Sequence, residues 1–258
     1  MTEKVRYQTE DAVAIVTITR PEVRNAMDMD VFAGLARAGG RAAADPSVRA
    51  VVVTGDGGTF SSGIDTSVFT SGGSAPGNLD IATLQHAFTI YEEMAKPTIA
   101  AIAGPAFGAG FQLALACDLR VVGDDASLSV MEVRWGIIPD LGATHRLPRL
   151  VGTGRAKELC FTARRIDAEE ALAIGFANRI VPADKAAQAA LDWARELAGA
   201  PPLALAAIKR LVNGAFDEPV TTGLAREASS QRRILASWDF IEAVTARLEK
   251  RQPQFENR

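Results

Sequence analysis

The chain has 258 residues, 48% of them hydrophobic, and a formal net charge of −3. That length suits one α/β domain, or a core with a smaller appendage, and the apolar share is ample for a sizeable core. Mild acidity without a long basic run excludes nucleic acid as the main partner. The two cysteines, Cys117 and Cys160, sit in apolar settings and read as reduced thiols. The polar start, Met1-Thr-Glu-Lys-Val-Arg-Tyr7, lacks the apolar core of a signal peptide, so the expectation is a cytoplasmic protein.

Residues 13–19 are rich in β-branched side chains and stop at Arg20-Pro21, the pattern of a strand. Residues 28–44 have helical spacing, with Val31, Leu35 and Ala38 on one side and Asp28 placed to cap the start. Residues 49–54 form an apolar run that suits a strand covered on both faces. It ends in Gly55-Asp-Gly-Gly58 and leads to Phe60-Ser-Ser62-Gly63-Ile64-Asp65. Residues 70–78, rich in Gly, Ser and Pro, read as a mobile loop. Residues 80–95 spell a helix carrying His86, which reads as an ordinary helical residue before a catalyst.

Between Pro97 and Cys117 there is no charged residue, a window long enough for a membrane span. Pro97, Gly104, Pro105, Gly108, Gly110 and Gln112 interrupt it, which favours a buried strand, a tight glycine turn and a helix. Gly104-Pro-Ala-Phe-Gly108-Ala109-Gly110 does not read G-x-G-x-x-G, the dinucleotide fingerprint. A helix that starts at such a turn aims unpaired N–H groups at whatever lies above it. The Ala109 N–H then becomes a fixed donor for a developing negative oxygen; a purely structural turn is the alternative.

Residues 119–122 and 126–130 read as two further short strands, after which come Glu132 and Gly136-Ile-Ile-Pro139-Asp140. A helix runs from His145 to Leu150, with His145 structural or at a rim, and Asp140 is placed to cap it. From Gly154 the pattern is helical almost throughout: 168–174, 184–198, 203–216 and one long amphipathic run over 222–250. The organisation is asymmetric, with strand-strand-helix units to about residue 180 and a helical tail beyond. The apolar surface of that tail must pack over the core or join subunits.

Five stretches, in order along nearly the whole chain, resemble the crotonase superfamily, the enoyl-CoA hydratase/isomerase fold. They are Arg20-Pro-Glu-Val-Arg24-Asn25-Ala26, Gly58-Thr-Phe-Ser-Ser62-Gly63-Ile64-Asp65, Gly104-Pro-Ala-Phe-Gly108-Ala109-Gly110, Glu132 with Gly136-Ile-Ile-Pro139, and Leu248-Glu-Lys250-Arg-Gln-Pro253-Gln-Phe255. The resemblance implies an α/β, crotonase-like spiral of ββα units over residues 1–200 and a helical C-terminal region over 201–258 for trimerisation and as a lid. It further implies a homotrimer or dimer of trimers and an acyl-CoA thioester substrate. Coenzyme A is then part of the substrate, and neither a metal nor a redox cofactor is expected; nor is a membrane or nucleic-acid partner.

By the same resemblance, the N–H groups of Ile64 and Ala109 hold the thioester oxygen as its enolate forms, next to Gly108. Preformed donors of this kind stabilise the enolate more than the ground-state carbonyl. The Ser62 carbonyl falls at the adenine contact, Lys250 at a basic tail residue that reaches the coenzyme phosphates, and Arg24 at a second phosphate contact; Arg247 stands where an aromatic is common. Hydratases of the superfamily carry two glutamates. One matches Glu132; the other matches Gln112, and an amide cannot usefully take up a proton at neutral pH. Dienoyl-CoA isomerases also have an acid eight residues after the glutamate, here Asp140, beside a third acid that this chain replaces with Gln112. The expectation is double-bond isomerisation with Glu132 as proton shuttle and Asp140 as assistant. Hydration of a 2-enoyl-CoA is the alternative, and a catalytically inactive acyl-CoA-binding protein the second.

Overall fold

The computed structural model describes residues 3–70 and 79–256; apart from Thr70, the expected mobile loop over 70–78 lies outside the described residues. A six-stranded sheet is ordered β1-β2-β3-β4-β6-β8. Its strands are β1 (Val5–Glu10), β2 (Val13–Ile18), β3 (Ala50–Gly55), β4 (Thr98–Ile102), β6 (Leu119–Gly123) and β8 (Arg179–Val181). β1 pairs antiparallel with β2 through a tight turn at Asp11-Ala12, and every other pairing is parallel. A second, two-stranded parallel sheet joins β5 (Pro105–Phe107) to β7 (Ser127–Ser129).

The apolar run over 49–54 does what a strand covered on both faces must do. Its side chains alternate, and each set enters a different core. Ala50 and Val52, with Val13, Ile99, Ala101 and Val121, meet Ala190, Leu191 and Ala194 of helix α8 (Ala186–Ala198). Val51 and Val53, with Val16, Ala100 and Ile102, join the larger core. That core takes Val31 and Leu35 from α1 (Met29–Ala44) and Phe88 and Tyr91 from α3 (Ile81–Glu93). Asp28 caps α1, accepting from the Val31 N–H at 3.1 Å, and Asp80 caps α3 likewise.

The uncharged window is a strand, a turn and a helix. β4 leads through Gly104 and β5 to Gly108 and then α4 (Ala109–Ala116), whose eight residues are all buried. Among the described residues no helix is long and apolar enough to cross a membrane. α2 (Ser67–Thr70), α5 (Ala143–Val151), α6 (Thr153–Thr162) and α7 (Ala168–Ala173) fill the connections, and α9 (Pro202–Gly214) opens the helical tail.

The structure corrects the expected single helix over 222–250. The segment is two helices, α10 (Val220–Leu235) and α11 (Trp238–Glu249). Ser237 divides them: its hydroxyl accepts from the Phe240 N–H at 3.2 Å, which starts a new helix.

Candidate active site

Two loops meet above the start of α4. The loop that leaves β3 doubles back along β5, so that the Ser61 N–H donates to the Pro105 carbonyl at 3.0 Å and the Phe107 N–H to the Ser61 carbonyl at 3.0 Å. Asn25, wholly buried, holds that loop by donating to the carbonyls of Asp56 and Thr59 at 2.9 and 2.6 Å. Ser61 donates its hydroxyl to the Asn25 carbonyl at 2.8 Å and accepts from the Gly63 N–H at 3.1 Å. The Arg20 guanidinium lies 3.0 Å from the Asp65 carboxylate and pins the far side of the loop.

Gly63 has φ +103° and passes so close to the second loop that a Cβ there would stand 2.7 Å from the Phe107 oxygen and 3.7 Å from the Ala109 nitrogen. Only glycine fits. The two neighbouring N–H groups, of Ile64 and Ala109, donate to nothing among the described residues. Ala109 is the first residue of α4, so its N–H is one of the helix's unpaired donors.

Glu132 closes the site from the far side. It follows β7 in a single 3₁₀ turn (Glu132–Trp135) and is only 7% exposed. A Cβ on Gly108 would lie 3.4 Å from its Oε1, so the carboxylate sits directly over the turn that starts α4. Oε1 accepts from the Gln112 amide at 2.7 Å, whereas Oε2 is buried with no partner. Burial pushes the Glu132 carboxyl above the usual range; its own backbone N–H and the Gln112 amide oppose that shift and Asp140 adds to it. Asp140 is half-buried, and desolvation raises its carboxyl too.

Asp140 does not cap α5, contrary to one expectation. Gly142 is the N-cap, and the α5 donors are taken from elsewhere in the fold. The Gln112 side-chain oxygen accepts from the N–H groups of Leu141 at 2.9 Å and Ala143 at 3.1 Å. Gln85 donates to the Asp140 carbonyl at 2.6 Å, and Arg146, clamped by Glu92, donates to the Leu141 carbonyl at 2.9 Å. The Asp140 turn is thus held by three side chains, of which the sequence pointed only to Gln112.

The remaining expected residues divide. Ser62 donates its N–H to the Arg24 carbonyl at 2.9 Å, so these two stand together on the loop. Lys250 makes no hydrogen bond or ion pair with either of them. It lies exposed at the C-terminal cap of α11, and the tail beyond it returns to Arg49, which donates to the Phe255 carbonyl at the start of β3, the end opposite to the loop. His86 and His145 are exposed, and both cysteines are free. Cys160 of α6 lies close enough to Glu132 for a charge there to disfavour its thiolate.

A family model described as enoyl-CoA hydratase/isomerase matches residues 8–258. The chain belongs to that family. The short-chain-enoyl-CoA hydratase of Clostridium acetobutylicum is 35% identical over 256 residues, 98% of each chain. The peroxisomal Delta(3,5)-Delta(2,4)-dienoyl-CoA isomerase of Arabidopsis thaliana is 34% identical over 266 residues, covering 98% of this chain and 96% of that one. The crystal structure of an enoyl-CoA hydratase from Bacillus anthracis superposes with a TM-score of 0.94 at 30% identity, over 99% of this chain and 100% of that one. The crotonase resemblance drawn from five motifs therefore holds across the chain, and the protein is an enzyme of the hydratase/isomerase family. Within the family, relatives of nearly equal similarity carry hydratase and isomerase names, so overall likeness does not select the reaction; the residues around Glu132 must.

Proposed function

We propose that the protein moves a double bond within an enoyl-CoA thioester. The thioester oxygen sits between the N–H groups of Ile64 and Ala109, and Glu132 takes a proton from the carbon next to the thioester. The C–H electron pair passes into the conjugated system as the carbonyl becomes an enolate, which the two donors stabilise. Glu132 then returns the proton to the carbon at the far end of that system, so one C–H bond breaks, one forms, and nothing is added. The observation that carries this reading is the division of labour on one carboxylate: Oε2 of Glu132 is free, while Oε1 is held by an amide that can neither take nor give up a proton usefully.

Water addition is the second reading, favoured by Asp140. Its carboxyl is close enough to Glu132 to raise that group and could hold a water beside it. The exposed apolar side chains of Trp135, Ile137 and Ile138, which follow Glu132, fit a role against the acyl chain. Ser62 and Arg24 are proposed to meet the coenzyme. Lys250, exposed and without a bond to Arg24 or Ser62, would serve a neighbouring copy, with residues 201–258 forming a trimer contact in the cytoplasm.

The test is turnover of 2-enoyl-, 3-enoyl- and 3,5-dienoyl-CoA in deuterated water. Migration of a double bond without a hydroxylated product is expected. A 3-hydroxyacyl-CoA formed from the 2-enoyl substrate at a comparable rate would replace isomerisation by hydration.

A further inference from the structure

We infer that Gln112 is a positioning residue that locks the start of α5 to Glu132 and thereby decides which oxygen of that carboxylate is available as a base. The N–H groups around the start of α5 need acceptors. A helix start leaves several N–H groups unpaired, and here Gly142 has no side chain with which to satisfy them. Gln112, 1% exposed and on a different helix, supplies the acceptor for both Leu141 and Ala143. Those two partners can only donate, so the amide oxygen must face them and the amide NH₂ must face Glu132. The orientation is therefore dictated by chemistry.

Two consequences follow for Glu132. Its Oε1, 2.7 Å from that NH₂, must act as an acceptor, so any proton the carboxyl carries resides on Oε2. Oε2 is the buried oxygen without a partner. The other titratable groups that bear on Glu132 are Asp140, from the turn before α5, and Cys160, from α6, and both repel the ionised form. Arg146, the buried cation of α5, is occupied by Glu92 and the Leu141 carbonyl. Gln112 is thus the side-chain donor that favours ionised Glu132, and the same amide sets where Asp140 stands relative to it.

This inference rests on Glu132 as the proton-carrying group, and its test separates the two claims. Gln112→Glu keeps an oxygen for Leu141 and Ala143 but replaces the NH₂ with a second carboxylate oxygen against Glu132. Two carboxylates at that distance share a proton. Carbon-13 NMR of the glutamate carboxyls in the free protein should show the titration of Glu132 displaced upward by at least about one pH unit in Gln112→Glu, with the thermal midpoint kept near the parent's at acid pH and lowered at pH 7. The acid limb of the pH–kcat profile should move with it. A Glu132 titration that stays in place would reduce Gln112 to a helix cap and overturn the inference. In the unaltered protein the Gln112 side-chain amide resonance should follow the Glu132 titration, and an amide that ignores it would overturn the inference even if Gln112→Glu fails to fold. Wild-type turnover by Glu132→Gln would instead overturn Glu132 as the base.

Discussion

Glu132 is held in a state that burial disfavours, and the base role proposed for it depends on that tension. Desolvation raises its carboxyl above the usual value, so the ionised base accumulates only as the pH climbs through that raised value. The rate of the proposed enolate-forming step should therefore fall on the acid side. Stability should move the other way. Between the ordinary carboxylate pKa and the raised one, the native protein binds more protons than the unfolded chain, so stability drops as pH rises across that window. Glu132→Gln removes the titration: it should cut turnover by about 10²–10⁴-fold, spare coenzyme A binding, and gain in melting temperature relative to the parent between acid and neutral pH. Parallel melting curves at both pH values would show that Glu132 carries no such cost.

At the scale of elements, the site is the meeting of a helix start and two loops, and each is held by backbone geometry that few residues permit. Gly108 has φ +50° and ψ −116°, a conformation outside the regions open to L residues. Gly108→Ala should destabilise the fold by about 1–3 kcal/mol in urea. It should also lower turnover, because the strain falls on the turn that aims the Ala109 N–H. An alanine variant with the parent's activity would mean that the turn tolerates rearrangement. The break between α10 and α11 makes a simpler prediction. Ser237→Ala removes the acceptor of the Phe240 N–H and should cost about 1 kcal/mol, with turnover per folded molecule unchanged.

For the whole molecule, the α9–α11 region is apolar where a lone chain would be wet. Phe216 is 72% exposed and Leu248 80%, with Ile208, Val212, Leu224 and Ile241 also open. Soluble monomers rarely leave so much large apolar surface uncovered, and copies of the same chain joined in a closed ring would cover it. Light scattering should report three or six chains per particle, and Leu248→Asp with Ile241→Asp should lower that number. A monomer in the unaltered protein would leave those side chains without the proposed role.

Local pattern suffices for several strands and helices: the alternating core of β3, the capped start of α1, and the strand, turn and helix around Gly108. The family was legible too, because five short motifs keep their order along the chain. Less was legible where the pattern is weak or the decision is distant. β1 is largely open to solvent and β8 has three residues, so their alternation carries little signal, and only pairing with β2 and β6 makes them strands. Asp140 was placed to cap α5 on local grounds, yet tertiary structure gave that task to Gln112, 29 and 31 residues away from the donors. The resemblance already paired Ile64 with Ala109, but the unpaired state of Glu132 Oε2 was likewise decided only in three dimensions. The physical reason is common to all of them: a buried polar group is satisfied by whichever partner the packed fold brings within reach, and sequence distance has no part in that choice.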